Sequence, residues 1–378
     1  MTTGRAAPTW IAALAGIAAA VAMFWTGAAK ADGLPLETLK LPPGFKIETY
    51  ARVPRARSMV VMDDWGVVIV GSLGAFIHAV IDEDRDGLPE RVIKLFDGLK
   101  VANGIAWRDG WFYVAEQHRL VRYRAPDFAT LAKAEPEVLY DALPDDRWHG
   151  WRYARFAPDG SLYVAIGSPC NICETNGLEG TVTRFRAPGW QPEVYASGVR
   201  NSVGLGFHPV TGYLFFTDNG ADHMGDDSPP DEFNHATGPG LWFGFPWFGG
   251  GADRTPDFAG QPLPRPATPP AVKFGAHVAA LGFSFYTGTR FPDAYRGDAY
   301  VAQHGSWNRR VPDGYRIARI RMDAKTHTAL GWEPFIEGWL GADGGAWGRP
   351  VDVKMTAAGD LLISDDRAGA IYRVTYRP

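Results

Sequence analysis

In this chain of 378 residues, imidazole, guanidinium, amide and carboxylate side chains recur at the ends of short apolar runs. Asn103, Trp148-His149, Arg200-Asn201, His277 and Gly348-Arg349 stand just ahead of one set of runs. Gln117-His118, Ser168 to Cys173, Asn219 to Glu232, Gln303 to Arg310 and Asp365 to Arg367 follow another. Histidine titrates near neutrality and so suits proton transfer. Arginine stays charged and forms paired hydrogen bonds to carboxylates. A loop as acidic as Asp222 to Glu232 offers the oxygen donors that calcium favours. Two smaller motifs stand apart. Asp82-Glu83-Asp84-Arg85-Asp86-Gly87 has the spacing of the first half of a calcium loop, but Ile93 falls at the twelfth position, so the run reads as a tight turn between strands. Cys170 and Cys173 form CxxC followed by Glu174 rather than histidine, which excludes the usual attached-haem signature.

The runs that must position these residues repeat. A turn with glycine or aspartate followed by an apolar strand recurs as WGVVIVGSL, DGWFYVAEQH, DGSLYVAIGS, TGYLFFTDNG, RGDAYVAQHG and AGDLLISDD, with glycines at 66, 110, 160, 212, 297 and 359. The intervals of 44, 50, 52, 85 and 62 residues are those of propeller blades with variable loops. Each copy follows a hairpin partner, such as SMVVMDD or VDVKMTAAG, and each unit has a further apolar segment upstream, from ETYARV near Tyr50 to PFIEGWL. The reading is all-β, a six-bladed β-propeller. The chain ends after a third strand, AIYRVTYR, so the N-terminal strand is expected to complete the last blade and leave no unpaired edge. If each inner strand runs from one face to the other, the loops entering it and the loops joining strands two and three share a face. The polar residues named above then converge at one mouth of the channel, the default place for function.

Residues 1–31 carry Arg5, an apolar run from Trp10 to Trp25 and Ala29-Lys30-Ala31, a small-x-small pattern; cleavage after Ala31 is expected, with 32–378 as the propeller domain. Retention as a membrane anchor is the alternative, since the run approaches a short transmembrane helix in length. Removing Arg5 and Lys30 takes the formal charge from -4 to -6, which argues against a nucleic-acid partner. The expected location is periplasmic or secreted. In such an oxidising compartment the two cysteines are expected to form a disulfide.

The segments WHGWRYARFAPDGSLYVAIGSPCNICE, GVRNSVGLGFHP, DNGADHMGDDSPPDEFN, HGSWNRRVPDGY and GRPVDV, in this order, resemble the pyrroloquinoline quinone (PQQ) dependent soluble sugar dehydrogenases, especially the sorbosone dehydrogenase branch. The resemblance runs from Leu41 to the C-terminal strand. It implies a PQQ-dependent, calcium-dependent oxidation of a sugar or sugar aldehyde at C1, of an aldose hemiacetal or sorbosone, to a lactone or acid. It implies that His149 is the base, that Arg200, Asn201 and Arg349 hold the cofactor, and that the carbonyls of Gly220 and Ala221 bind calcium, with Asp231 and Glu232 at a further calcium. Arg309 and Asn103 are added as cofactor contacts, Arg309 because the chain departs from the soluble glucose dehydrogenases. Those carry a lysine after the fifth inner strand, where this sequence offers Thr287, and the HGSWNRR loop, through Arg309 or Arg310, is the expected replacement. Asp352 is a candidate to orient Arg349. Trp148, His277, His304 and Trp307 are candidate substrate contacts. With no haem signature, the electrons must leave to a separate acceptor such as a cytochrome or quinone-linked protein.

Two other classes fit a propeller: a calcium-dependent lactonase-type hydrolase, and a non-catalytic binding propeller. The aromatic segment LWFGFPWF, 241–248, reads as packing beneath a long loop, with a site cover or an interface as the alternatives.

Overall fold

The computed structural model describes residue 1 and residues 33–378. The expected signal segment 1–31, apart from residue 1, and its cleavage point lie outside the described residues. Six sheets, each built on four antiparallel strands and one of them extended by a fifth, parallel strand, carry the repeat, and the second strand of each, Val67–Ser72, Trp111–Ala115, Leu162–Ile166, Leu214–Asp218, Ala299–Gln303 and Leu361–Asp365, is the repeated phrase itself. These strands are buried along nearly their whole length, because each blade is covered on both faces by its neighbours. They therefore read as continuous apolar runs rather than alternating ones.

The first strands, Ala56–Met62, Gly104–Arg108, Tyr153–Phe156, Leu205–Phe207, Ala280–Phe285 and Pro350–Met355, each pack against the next, and the sixth packs against the first. They line the channel of a closed six-bladed ring. Phe45–Arg52 pairs antiparallel with Ala370–Tyr376, with Lys46 opposite Thr375 and Arg52 opposite Ala370, so one blade contains strands from both ends of the chain. The Phe45 ring seals this seam, its centroid 4.7 to 5.0 Å from those of Phe291, Tyr295, Phe335 and Tyr376.

The longest interval between repeats contains an excursion in which Leu241–Trp242 adds in parallel to the outer strand of the third blade and Phe248–Gly250 pairs with Asp253–Arg254. Trp242, Phe243 and Phe245 are buried, and Phe243 meets Phe216 edge-on at 4.8 Å, so this aromatic segment packs against the blades. Among the described residues no helix is long and apolar enough to cross a membrane.

Candidate active site

At one mouth of the channel lies a cavity of about 320 Å³ lined by Arg147, Trp148, His149, Trp151, Arg200, Asn201, Asn219, Gly220, Asp222, Asp231, His277, Ala279, Trp307 and Asn308. Its walls are the loops entering the first strands of blades three, four and five, and the loops after the second strands of blades four and five. Both loop types thus meet on one face, as the repeat requires. A cavity of about 470 Å³ at the opposite mouth is larger and is lined by the far ends of all six first strands, with Thr287 and Lys354. Its amine is committed, Lys354 Nζ lying 2.6 and 2.7 Å from the Asp352 oxygens and 2.7 Å from the Tyr153 hydroxyl. No imidazole lines it, so chemistry favours the smaller cavity over the larger.

His149 is held in one orientation. Its Nδ1 lies 3.0 Å from the Ser168 carbonyl oxygen and 3.1 Å from the Ser168 hydroxyl. A carbonyl only accepts, so Nδ1 carries the proton and Nε2 keeps its lone pair. Burial, and then the Arg200 charge, hold this imidazole well below its ordinary range against the opposing pull of the Ser168 carbonyl, so it is neutral at neutral pH. The residue adopts φ 51°, and the adjoining chain comes so close that a Cβ on Gly167 would lie 2.4 Å from His149 Cβ. Only glycine fits there.

The same loop organises Arg200. Cys170 and Cys173 are disulfide-bonded, the Ser168 hydroxyl donates to the Cys170 carbonyl at 2.8 Å, and Asn171 between the cysteines accepts from Arg200 through its carbonyl, 3.0 Å, and its side-chain oxygen, 2.7 Å. Arg200 also donates to the carbonyls of Asn219, 3.0 Å, and Gly220, 2.7 Å, and to Asp222 at 2.9 Å. Being 3% exposed with its donors engaged, it fastens the 219–222 loop and places a fixed positive charge behind the cavity. Asp218 accepts from the backbone N–H groups of Arg200 and Asn201 at 2.8 and 2.5 Å. Asn308 donates to Asp222 at 3.0 Å, while its own Oδ1 is buried without a partner.

Behind this loop sits an acidic pair across neighbouring strands, Asp218 opposite Glu232. Burial, and then Asp218, push the Glu232 carboxyl up to about 8. Burial raises Asp231 to about 6 even though it accepts from the N–H groups of Gly220, 2.7 Å, and Ala279, 2.6 Å. A void of about 10 Å³ lies among Asp218, Gly220 and Glu232, about the room for one small particle. The Asp218 and Glu232 carboxyls and the Gly220 carbonyl offer oxygens of the kind calcium favours, and Arg200, Phe243, Phe245 and Phe248 share the lining. Ala221 is fully buried and its N–H donates to Gly249.

Several predicted residues lie elsewhere. Arg349 donates to the His304 carbonyl at 2.8 Å and to that of Gly305, and stacks over Tyr315, so it braces the HGSW loop. Asp352 does not orient it, being held by Lys354, Tyr153 and the Met59 N–H. Arg309 ties to Asp227, 3.1 Å, and to the Ala276 carbonyl, 3.2 Å, and Arg310 to Asp226, 2.8 Å. Thr287 lies at the opposite mouth, so that position has no part in this cavity. Asn103 is fully buried, accepting from Arg57 at 3.1 Å and donating to the Arg152 carbonyl at 2.9 Å. His304 pairs with Asp366 at 2.8 Å, and Asp366 with Arg57 at 2.8 Å. This second cluster adjoins the cavity through Trp151, whose ring lies 4.9 Å from the Arg57 guanidinium. Sequence reasoning did not single out Arg147, Asn308, Asp218 or Arg57. Exposed Arg147 is the cation lining the cavity for which no hydrogen bond or ion pair appears among the described residues. Its only cue was adjacency to Trp148-His149.

A family model described as Glucose / Sorbosone dehydrogenase matches residues 113–306, and one described as TrAA12-like matches 261–377. An uncharacterized protein of Borreliella burgdorferi is 32% identical over 352 residues, 90% of this chain and 91% of that protein. Among solved structures, the calcium structure of Trichoderma reesei carbohydrate-active enzymes family AA12 is similar with a TM-score of 0.74 at 17% identity, covering 90% of this chain and 97% of that one. The holo form of the pyranose dehydrogenase PQQ domain from Coprinopsis cinerea gives 0.73 at 18% identity, covering 89% and 97%. At these identities the structures speak to the fold.

Proposed function

This chain belongs to the glucose/sorbosone dehydrogenase family, and from that premise we propose that it is a PQQ- and calcium-dependent dehydrogenase that oxidises a sugar or sugar aldehyde at C1, an aldose hemiacetal or sorbosone, to the lactone or acid. The observation that carries the reading is His149, a neutral imidazole fixed by Ser168 with its Nε2 lone pair free, in the wall of a cavity beside a buried guanidinium.

The cavity suits a flat polyanion. Its outer walls are the half-exposed Trp148 and the exposed Trp307, and Arg147 and Asn201 remain to meet carboxylates. The unpartnered Asn308 Oδ1 awaits a donor. Arg200 contributes charge rather than a free fork, since its hydrogen bonds are spent on the loop. Gly220 and Ala221 are assigned to calcium through their carbonyls, with Asp231 and Glu232 as acidic support; the Gly220 oxygen would share itself between the metal and Arg200. PQQ supplies the hydride acceptor when bound.

The chain's own residues do the rest. The C1 hydroxyl of a hemiacetal, or of the hydrate that water forms with an aldehyde, would lose its proton to His149 Nε2, and the Ser168 carbonyl would steady the resulting imidazolium through the Nδ1–H bond. Burial and Arg200 disfavour that cation, so the proton is returned readily as product leaves. Trp148, His277 and Trp307 wall the substrate side, and Trp151 closes the floor. His304, paired with Asp366, and Arg349, behind it, set the adjoining wall at one remove. Arg309 and Asn103 position loops. The electrons pass to a separate cytochrome or quinone-linked protein, and the enzyme acts in the periplasm or outside the cell.

Titration of the 32–378 protein with PQQ, followed by quenching of tryptophan fluorescence, tests the cofactor assignment. Saturable one-to-one quenching that is tighter with calcium is expected. An absence of quenching with calcium present would overturn it.

A further inference from the structure

The turn at Asp82 carries more than its sequence spacing conveyed. It joins Ile77–Ile81 to Arg91–Phe96 in the first blade, on the face opposite the candidate active site. The acid missing at the twelfth position is supplied at the ninth, because a hairpin returns sooner than the helix that closes a helix–loop–helix site. Asp82, Asp84, Asp86 and Glu90 each bring one carboxylate oxygen to within 4.8 Å of the others.

A second observation points to a ligand. Asp82 is only 7% exposed, its Oδ2 accepts from the Gly87 N–H at 2.9 Å, and its Oδ1 is buried with no hydrogen-bond partner. A buried carboxylate oxygen without a donor is unfavourable, and here it belongs to a group of four acids. The turn's nearest cations do not offset this. Arg85 donates away from the group to the Asp64 carbonyl at 2.6 Å, Arg91 pairs with Glu83, and Arg373 is spent on the Gly87 carbonyl and Glu48.

We propose that Asp82, Asp84, Asp86 and Glu90 bind a structural calcium ion. Four hard oxygen donors on an irregular loop suit calcium better than magnesium, which demands near-ideal octahedral geometry. The site also touches the closure of the ring. The Gly87 carbonyl accepts from Arg373 at 2.6 Å, and Arg373 lies on the strand that pairs with the N-terminal one. Calcium that orders this turn therefore fastens the first blade to the last. An affinity of about 10⁻⁴ to 10⁻³ M fits an extracellular module.

The test uses PQQ-free 32–378 protein and needs no turnover, so it stands apart from the function proposed above. Calorimetric calcium titration and thermal melts with and without calcium are compared between the native protein and Asp84→Asn/Asp86→Asn, both exposed positions. The variant is expected to bind one calcium fewer, to melt higher than the native protein in chelator because repulsion is relieved, and to gain less on adding calcium. Equal stoichiometry and equal calcium-dependent gains would overturn the proposal. If the double variant does not fold, Glu90→Gln is read by the same two outcomes.

Discussion

His149 illustrates how an imidazole is fixed as a neutral proton acceptor without an acidic partner. The proton on Nδ1 is fixed by a carbonyl, Nε2 is left free, and burial with Arg200 keeps the ring neutral. Because its titration is displaced downward, protonation removes the base only in acid. With PQQ and calcium saturating, so that the Asp231 and Glu232 carboxyls do not set the profile, kcat/KM is expected to be flat from pH 6.5 upward and to fall only well below pH 6.5; an acid limb centred at or above 6.5 under those conditions would contradict this. Arg147→Ala should weaken PQQ binding by ~10-fold or more, the scale of one hydrogen bond to a charged group, while kcat at saturating PQQ changes little. At this scale the sequence was partly legible. His149 and Arg200 stood at the entrances to apolar runs, which fixed their mouth of the channel. Adjacency does not say which way a side chain turns, so Arg147 was passed over, and Arg349 and Arg309, equally basic, turn out to brace loops.

Between residue and fold stands the loop after the second strand of blade three. It carries Gly167, Ser168, Asn171 and the disulfide, and through them it seats both His149 and Arg200. Gly167→Ala would drive a methyl into His149, so kcat should fall about as far as in a His149 variant while the melting temperature drops only modestly; measured kcat near the native value would contradict the packing. The strands were legible because the first three strands of each blade form a local meander whose buried second strand reads as an apolar run. The excursion of residues 237–271 was legible only as length and aromatic content, since Leu241–Trp242 pairs with blade three and the remaining pairing, Phe248–Gly250 with Asp253–Arg254, is very short.

On the scale of the whole molecule, the ring is closed by one strand from each end of the chain, and Phe45 fills the seam. Phe45→Ala should cost about 3–5 kcal/mol and lower the single unfolding transition rather than fray one blade, which a thermal melt followed by two probes will show. Closure was legible from the need to cover a sheet edge. The network Arg57, Asp366 and His304 was not, because it joins the first, fifth and sixth blades across the channel and no local spacing announces it. At that same mouth the proposed quinone would face the imidazole of His149. The most direct measurement is dye reduction by the 32–378 protein across aldoses, sorbosone and simple aldehydes, with PQQ and calcium added or omitted, beside His149→Ala. Turnover that requires both additions and falls ~10²- to 10⁴-fold in the variant is the predicted result; turnover without PQQ, or undiminished in the variant, would contradict the account.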